Sequence, residues 1–397
     1  MRAHFRFHSC RGLLCGVLLG AYCLTAVQLF GCVRSYPESY TLAKAAGHRA
    51  LSSGRYEEAA GHFHQAAADA RRRRDKDYAL YLEAETYLRA GKYLEARSTF
   101  ETILAESPNG LESPRSAYEI AKLEIRFGDE RNGWDMVHAA VKRYPNSGLA
   151  RTELIRYLEY VDASAGLSST VEFLESKLSW YESHELGETA TFEIAKRLEK
   201  LGRMKEAHDR YLSCARNHPY PKGALFDDAM YRVSLLDESM GRPKEAVGHL
   251  REMLAFREVS SLNWSYERRR FPEAQMRIAV LYRDALGQPD EARREFRKVF
   301  LEHKDSTLRD DALWAEALVA VEQGDERGAC ETVKLLASKL PESRYVPCVG
   351  AVCKKMHVPQ KAEKKAPIEC RDYIARGVAP RSHGGPQRSD SKLDDHQ

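Results

Sequence analysis

Cysteine and histidine are the residues of this sequence whose spacing suggests chemistry. Cys348, Cys353, His357 and Cys370 lie close together near the C-terminus, and thiolates with an imidazole are typical zinc ligands. Their spacing matches no common zinc finger, so we expect no metal site. Cys348 and Cys353 are the nearest pair and could form a disulfide in an oxidising compartment. The disulfide connectivity of these cysteines cannot be read from sequence and stays open. Cys214 and Cys330 are two further candidates for pairing.

Motifs for catalysis are missing from the chain. It contains no nucleophile elbow, no phosphate-binding loop and no HExxH pair. We therefore expect a non-enzymatic protein with no catalytic residue, no cofactor and no small-molecule substrate. An enzyme with an unrecognised acid–base pair is the less favoured alternative. The net charge of +4 over 397 residues also argues against nucleic acid as a partner, because duplex binding needs a strongly basic face.

The N-terminus is typical of a secretory signal. Three arginines and no acidic residue occur before Cys32, and residues 12–30 are mostly apolar. The segment ends in Leu29-Phe30-Gly31-Cys32, which resembles the bacterial lipobox. This resemblance implies cleavage before Cys32, lipidation of its sulfur and acylation, such as with palmitate, of its new amino group. Val33 favours the outer membrane, on its periplasmic face. An uncleaved membrane anchor is the alternative, since the apolar stretch is nearly long enough to span a bilayer.

A repeat runs through the rest of the chain. Glycines recur with spacings of 37, 37, 74, 39, 46 and 37 residues. Because 74 is twice 37, a degenerate repeat is predicted near Ala165-Gly166, which gives eight repeats. The glycines are Gly54, Gly91, Gly128, Gly202, Gly241, Gly287 and Gly324.

Three further positions follow each glycine, and each has a physical reason. Five residues on, a small residue lets two helices approach closely, and four later an apolar or aromatic residue fills the gap between them. In four repeats a proline then stops the second helix. Glycine itself is expected to adopt the left-handed conformation that ends the first helix. The small and apolar residues are Ala59, Ala96, Gly133, Ala207, Ala246, Ala292 and Ala329, with Phe63, Phe100, Val137, Tyr211, Leu250, Phe296 and Val333.

This pattern resembles the tetratricopeptide repeat, a pair of antiparallel helices. The segment 77–110 carries Leu80, Ala84, Tyr87, Gly91 and Tyr93 in the family's order, followed by Ala96, Phe100 and Pro108. The resemblance implies an all-α, right-handed solenoid of about eight helix pairs with a concave groove that binds other proteins or peptide segments.

The predicted organisation follows from these features. A signal peptide occupies residues 1–31 and a lipid-anchored linker 32–39, before a solenoid at 40–343. The solenoid is degenerate near 149–181 and has an insertion at 256–272. A C-terminal cap at 344–370 precedes a tail at 371–397, which is predicted to be disordered because it is rich in lysine, proline, glycine and serine.

A lipobox, a short spacer and tetratricopeptide-like repeats with Pro-x-Ser links, such as Pro145-Asn146-Ser147 and Pro341-Glu342-Ser343, resemble the BamD-like lipoproteins of outer-membrane assembly. The resemblance implies a periplasmic scaffold or adaptor that is held at the membrane by its lipid. Alternative clients are peptidoglycan enzymes or a secretion or motility apparatus.

The family register predicts which residues face the groove. The fifth position of the first helix holds an aromatic residue in five repeats, and positions nine and thirteen hold several cations. Aromatic and cationic side chains together could clasp a peptide with acidic groups; alternatively, the aromatics pack between repeats and the cations are solvated. The predicted groove residues are Tyr81, Arg89, Tyr118, Lys122, Arg126, Phe192, Lys196, Lys200, Tyr231 and Trp314.

The insertion at 256–272 is a second candidate interface. It contains Trp264, Tyr266 and Arg269, and tryptophan, tyrosine and arginine are the residue types that anchor many interfaces. An ordinary surface loop is the equally weighted alternative.

Overall fold

The computed structural model describes residues 36–258, 268–356 and 370. Within these ranges sixteen long helices form eight successive pairs, and every regular element is helical, so the predicted all-α fold of about eight helix pairs is confirmed. The first four pairs are α1 (Glu38–Ser52) and α2 (Tyr56–Asp69), α3 (Arg73–Arg89) and α4 (Tyr93–Glu106), α5 (Ser113–Phe127) and α6 (Glu130–Arg143), and α7 (Ala150–Ala165) and α8 (Leu167–Glu182). The last four are α9 (Gly187–Lys200) and α10 (Met204–Asn217), α11 (Phe226–Ser239) and α12 (Pro243–Leu254), α13 (Arg270–Asp284) and α14 (Pro289–Glu302), and α15 (Arg309–Glu322) and α16 (Glu326–Lys339).

The chain divides into two compact units between Tyr157 and Leu158. Unit 1 contains the first three pairs, and unit 2 contains the last four. A 3₁₀ turn, Val346–Cys348, and a short helix, α17 (Val349–Val352), follow the eighth pair. In unit 2, α13 begins at Arg270, so the last residues of the segment predicted as an insertion are helical.

Turn glycines separate the helices of most pairs. Seven glycines have φ between +61° and +87°, a conformation that glycine adopts without the steric cost of a Cβ. The prediction was wrong for Gly128, whose φ is −118°. There α5 ends at Phe127, and Asp129 caps the next helix by accepting a hydrogen bond from the Asn132 N–H at 2.7 Å. The seven glycines are Gly54, Gly91, Gly166, Gly202, Gly241, Gly287 and Gly324.

Small and apolar residues of the second helices form the cores of the pairs. All seven predicted small residues are buried, and so are all seven predicted apolar residues. Gly133 shows why small size matters, because a Cβ built there would lie 2.6 Å from the backbone nitrogen of Ile125. At that position α6 approaches α5 too closely for any larger residue. The small and apolar positions of the repeat pattern are therefore the positions at which the two helices of a pair pack together.

One arginine is fully buried in unit 2. Arg197 of α9 is 2% exposed, and it donates to Asp162 at 2.8 Å and to Glu193 at 2.5 Å. Removing Arg197 would break this buried ion pair, and such a loss typically costs several kcal/mol, about 3–5. This ion pair network therefore helps to fix the position of α9.

None of the helices in the described part of the chain is long and apolar enough to cross a membrane. The predicted signal peptide at 1–31 and residues 32–35 of the linker, with Cys32, lie outside the described residues, as do residues 357–369 of the predicted cap and the tail at 371–397.

Candidate protein-binding surface

The fifth position of each first helix differs in burial among the repeats. Tyr81 and Tyr118 in unit 1 and Trp314 in unit 2 are 7%, 1% and 0% exposed, respectively. Phe192 and Tyr231 in unit 2 are half-buried. The predicted aromatic lining is therefore partly core and partly surface.

In unit 1 the two tyrosines pack inside their repeats. Tyr81 lies 5.7 Å from the ring of Phe100, and its hydroxyl donates to Glu85 at 3.0 Å. Burial raises the pKa of the Tyr81 hydroxyl, and the neighbouring Glu85 carboxylate raises it further. Burial also raises the pKa of Tyr118 to about 12. Tyr118 consequently stabilises the repeat and does not line an open surface, which corrects the prediction for this residue.

The cations of unit 1 are more accessible. Arg89 of α3 and Arg126 of α5 are exposed at position thirteen of the repeat register. Lys122 of α5, at position nine of that register, pairs with Glu119 at 2.8 Å. The Arg126 guanidinium lies 5.0 Å from the ring of Phe127, which is 51% exposed. Together Arg126 and Phe127 offer a charged and an apolar contact at one helix end.

In unit 2, α9 carries the predicted stripe most fully. Phe192, Lys196 and Lys200 are spaced four residues apart, so they lie along one face. Phe192 packs edge-on against Tyr211 at 5.1 Å and stays half-buried, and Lys196 pairs with Glu193 at 3.3 Å. Lys200 is exposed. This face has an aromatic residue at one end and an exposed cation at the other.

Tyr231 lies on α11, beneath an arginine of α13. The Arg270 guanidinium is 5.0 Å from the Tyr231 ring and is held by Asp228 at 2.7 Å and Glu273 at 2.5 Å. Burial raises the pKa of the Tyr231 hydroxyl. The tyrosine therefore links two neighbouring repeats while part of its ring remains accessible.

Trp314 is covered by the segment after the last repeat. Its ring stacks on Tyr345 with 5.0 Å between centroids and 9° between planes. Tyr345 and Arg344 both donate to Asp311 on the same helix. Trp314 presents no surface to a partner, so the expectation that it lines the groove is wrong. The cap occupies the position that a ligand would take.

The same register position holds a cation in three other repeats, which the predicted set of aromatic residues does not include. Lys44, Arg156 and Arg277 each lie ten residues before a turn glycine, as the five aromatics do. Arg277 donates to both carboxylate oxygens of Glu238, with Nε 2.7 Å from Oε1. Arg156 pairs with Glu153 at 3.2 Å. The spacing alone could have found these residues, because it does not depend on residue type.

Three consecutive arginines in the described part of the insertion differ in their contacts. Arg268 is fastened inward, donating to the Asp227 carboxylate at 2.6 Å and to the Gly223 carbonyl at 2.8 Å. Arg269 is 80% exposed at its side chain, and its Nε lies 3.7 Å from Glu273. The other two predicted interface residues, Trp264 and Tyr266, lie outside the described residues.

One disulfide joins the cap to the last repeat, and a second lies within the cap. Cys330 of α16 is bonded to Cys353, and Cys348 is bonded to Cys370. The pairing of the nearest cysteines, Cys348 with Cys353, is therefore wrong, because each instead reaches a cysteine more than twenty residues away in sequence. Because Cys348, Cys353 and Cys370 are disulfide-bonded, they have no thiolate to offer to the zinc site considered from the sequence. Cys214 is buried and takes part in neither disulfide.

An apolar pocket of about 270 Å³ lies in unit 1 between α4, α5 and α6. Alanine, leucine, isoleucine and methionine side chains form most of its wall, and Arg143 stands among them. It is large enough for one apolar side chain of a bound segment. The lining residues are Leu104, Ala117, Ile120, Met136, Ala139, Ala140, Arg143 and Tyr144.

One group of described residues could hold a metal ion. Donor atoms of His208, Asp237 and His249, on α10, α11 and α12, all lie within 4.8 Å of one another. Sequence reasoning did not single out these residues, because their separations of 29 and 12 positions match no metal motif. Only the stacking of three successive helices brings them together.

Comparison with known proteins identifies the repeats. A tetratricopeptide repeat family model matches residues 50–118, and a second matches residues 273–306. No curated protein matches the sequence.

Three solved structures are among those similar to this chain. One is YrrB, described as a tetratricopeptide repeat protein with an unusual peptide-binding site (15% identity, 55% of this chain and 98% of that chain, TM-score 0.34). Another is a tetratricopeptide repeat protein from Parabacteroides merdae (12%, 66% and 93%, TM-score 0.32). The apo form of RapI is a third (11%, 80% and 91%, TM-score 0.39). The family models show tetratricopeptide repeats at residues 50–118 and 273–306, and the other helix pairs follow the same register.

Proposed function

We propose that this protein is a membrane-anchored scaffold outside the cytoplasm that binds acidic segments of partner proteins and works in assembly of the cell envelope, as BamD-like lipoproteins do. The observation that carries the proposal is that exposed cations recur at one register position of the first helices. Arg89 and Arg126 have this position in repeats 2 and 3 of unit 1, and Lys200 has it in repeat 5 of unit 2. Repetition of one charge in the neighbouring repeats of unit 1 favours an acidic ligand there, and Lys200 offers the same kind of contact in unit 2.

The neighbouring contacts support a peptide ligand in particular. Lys122 and Lys196 are held by glutamates one turn away, so they are pre-oriented and lose less side-chain entropy on binding. Phe192 and Phe127 add accessible aromatic surface beside exposed cations. The apolar pocket of unit 1 offers a place for one side chain. Several weak contacts of this kind add up when they are linked along one segment.

The location rests on two independent features. Two disulfides are typical of proteins that fold in an oxidising compartment. The predicted lipidation site, Cys32, precedes the first described residue, Tyr36, by only four positions. An anchor so close to the first repeat would hold the scaffold near the membrane and raise the local concentration of membrane partners.

Site-specific photocrosslinking in living cells tests the binding surface. A photoreactive residue at Lys200 or Arg126 is expected to capture a partner that the same residue at Lys205 or Lys142, exposed on second helices, does not. Lys200→Glu and Arg126→Glu should reduce capture about tenfold or more, whereas Lys205→Glu should not. Equal capture from both sets of positions would refute the proposed surface.

The captured partner decides the finer role. Components of the β-barrel assembly machinery would support the envelope-assembly role. Peptidoglycan enzymes or secretion or motility components would overturn that role and retain the scaffold. Palmitate labelling should be abolished in Cys32→Ser, and undiminished labelling would refute the anchor.

A further inference from the structure

Three consecutive helices of unit 2 bring two histidines and one aspartate into a single buried cluster. His208 Nε2 lies 3.2 Å from Asp237 Oδ1, and His249 Nδ1 lies 2.7 Å from Asp237 Oδ2. Asp237 is 1% exposed and His208 7%. His208 Nε2 and Asp237 Oδ1 are sealed from water, yet their relative direction does not make a hydrogen bond. His208 Nε2 thus has no hydrogen-bond partner, and Asp237 Oδ1 accepts no hydrogen bond although the Arg242 guanidinium lies 2.8 Å away.

We propose that His208, Asp237 and His249 bind a divalent first-row transition metal ion, with zinc as the favoured ion. Two imidazoles and one carboxylate are a donor set that suits zinc, and in a three-ligand site water completes the tetrahedron. The His249 side chain is 19% exposed, which gives the ion and its water a route to the site. The proposal is independent of the partner-binding function.

The donor atoms, which lie within 4.8 Å of one another, would have to rearrange around a metal ion. Zinc–nitrogen and zinc–oxygen bonds of about 2.0–2.2 Å place neighbouring tetrahedral ligands about 3.3 Å apart. The His208–Asp237 separation already has this value, whereas the His249–Asp237 separation of 2.7 Å must widen by about half an ångström. His249 is the most exposed of the three and lies on the last helix of the cluster, so it can make this shift.

An outer carboxylate orients one ligand. His208 Nδ1 lies 3.1 Å from Asp209 Oδ1. When Nδ1 carries the proton and donates to this carboxylate, Nε2 keeps its lone pair 3.2 Å from Asp237 Oδ1. Metal-binding histidines are commonly fixed in this way by a carboxylate. A purely structural histidine has no need of this second partner, so Asp209 favours the metal.

Arg242 is a positively charged group that lies next to the proposed metal ligand Asp237. Its guanidinium lies 2.8 Å from Asp237 Oδ1, and its side chain is 40% exposed. Without metal, Arg242 compensates the buried carboxylate. When a metal ion is bound, the exposed guanidinium can turn outward or continue to pair with Asp237 Oδ1. Arg242 and the ion therefore compete for the Asp237 carboxylate. The cluster therefore predicts that removal of Arg242 strengthens metal binding.

Binding would join repeats 5 and 6. His208 belongs to the second helix of repeat 5, while Asp237 and His249 belong to the two helices of repeat 6. A metal held by all three fastens this junction, since an ion that binds only the folded state stabilises it. Unit 2 should therefore melt at a higher temperature with zinc than after chelation.

Metal titration of the full, oxidised, chelator-treated protein tests the proposal. We expect one equivalent of Zn²⁺ by calorimetry, and Co²⁺ should give the visible bands of a four-coordinate nitrogen–oxygen site. Asp237→Asn and His249→Gln should weaken binding at least a hundredfold, and Asp209→Asn about tenfold. His62→Gln, which alters a surface histidine paired only with Glu58, should have no effect, and neither should Cys214→Ala.

The outcomes separate a metal site from a hydrogen-bonded cluster. Arg242→Gln leaves all three ligands in place and should bind zinc several-fold more tightly than the wild type. Absence of the cobalt bands in the folded wild type would overturn the proposal, as would zinc binding that survives Asp237→Asn. If the ligand variants fail to fold, the wild-type cobalt spectrum and the Arg242→Gln affinity decide the matter, and an unchanged affinity would contradict the competition.

Discussion

At the first repeat, Lys44 lies among three tyrosines, with its Nζ 5.1 Å from the ring of Tyr40 and 5.8 Å from those of Tyr36 and Tyr78. The equivalent position of the last repeat is Trp314, whose ring stacks on Tyr345. Each end thus covers the same register position with a tyrosine from outside the repeats. At the first repeat that tyrosine, Tyr36, is 48% exposed, whereas Tyr345 is 2% exposed.

The difference shows that the first and last repeats are capped in different ways. A terminal repeat lacks a neighbour on one side and must cover its apolar face. At the C-terminal end the cover is a buried aromatic stack, a buried carboxylate, Asp311, and two disulfides. At the N-terminal end it is a cation–tyrosine cluster that leaves Tyr36 and Leu42 exposed. The exposed end is the one that adjoins the predicted lipid anchor.

Trp314→Ala gives the largest expected effect. A fully buried tryptophan that loses its ring leaves a cavity and an unstacked Tyr345, so we expect about 4 kcal/mol less stability. Lys44→Ala at the equivalent position should cost about 1 kcal/mol or less, because it removes partly exposed cation–π contacts. Urea unfolding followed by circular dichroism measures both. Similar losses at the two ends would contradict the distinction between them.

Loss of one disulfide comes next. Cys330→Ser with Cys353→Ser opens a loop that closes over 23 positions, and the chain-entropy estimate for such a loop is about 3 kcal/mol. Hydrogen exchange should become faster in α15 and α16, which pack against the cap, and stay unchanged in α1 and α2. Faster exchange in α1 and α2 as well would mean that the C-terminal cap does not act locally.

Much of the repeat fold follows from the sequence, because the positions that define it are local. The spacing from turn glycine to Ala96 and Phe100 recurs at fixed intervals within one helix pair, so periodicity alone locates the buried face. Gly128 shows the limit of this reasoning. A neighbouring residue, Asp129, supplies a helix cap, and the turn there does without a left-handed glycine.

Features that depend on distant residues could not be predicted. Cys330 lies in the last repeat, and nothing in the local pattern says that it pairs with Cys353 and not with Cys348. Trp314 has the type and register of a groove residue, and only the fold of the chain after it covers its ring. His208 and Asp237 meet because two repeats stack, which the separate helical patterns do not report.

Alkaline pH tests the tyrosines at both ends. Burial, with a smaller contribution from Asp75, raises the pKa of Tyr40 to about 12, and burial with Asp311 raises that of Tyr345 as well. The folded state thus holds these protons more tightly than the unfolded chain, whose tyrosines titrate near pH 10. Their stabilisation is complete below about pH 10 and is lost as the pH rises through the folded-state values.

The variants Tyr40→Phe and Tyr345→Phe separate the two contributions. Each should flatten the fall in melting temperature between about pH 10 and 12, and Tyr345→Phe should also cost stability at pH 7 because it removes a hydrogen bond to Asp311. Melting temperatures of both variants and the wild type across this range provide the measurement. Identical slopes in all three proteins would show that neither tyrosine is protected by the fold.

Helix capping provides the smallest and most local contrast. The last long helix, α16, has Asp325 as its N-cap, which accepts the Gly328 N–H at 2.8 Å, whereas α1 begins after Pro37, which offers no side-chain cap. The Gly328 N–H and the nearby Arg293 lower the pKa of Asp325. Its contribution is therefore present above the normal aspartate pKa of about 4 and is lost as the pH falls through the lowered value.

Asp325→Ala should lower the melting temperature at pH 7, and the loss should shrink at a second, acidic pH below the lowered pKa of Asp325, where the wild-type carboxylate is protonated. Pro37→Asp should do the opposite at the other end, adding about 0.5–1 kcal/mol by supplying the cap that α1 lacks. Thermal unfolding of the two variants at both pH values makes the comparison. A Pro37→Asp protein no more stable than the wild type would mean that the first turn of α1 is held by the tyrosine cluster around Lys44 and gains nothing from a cap.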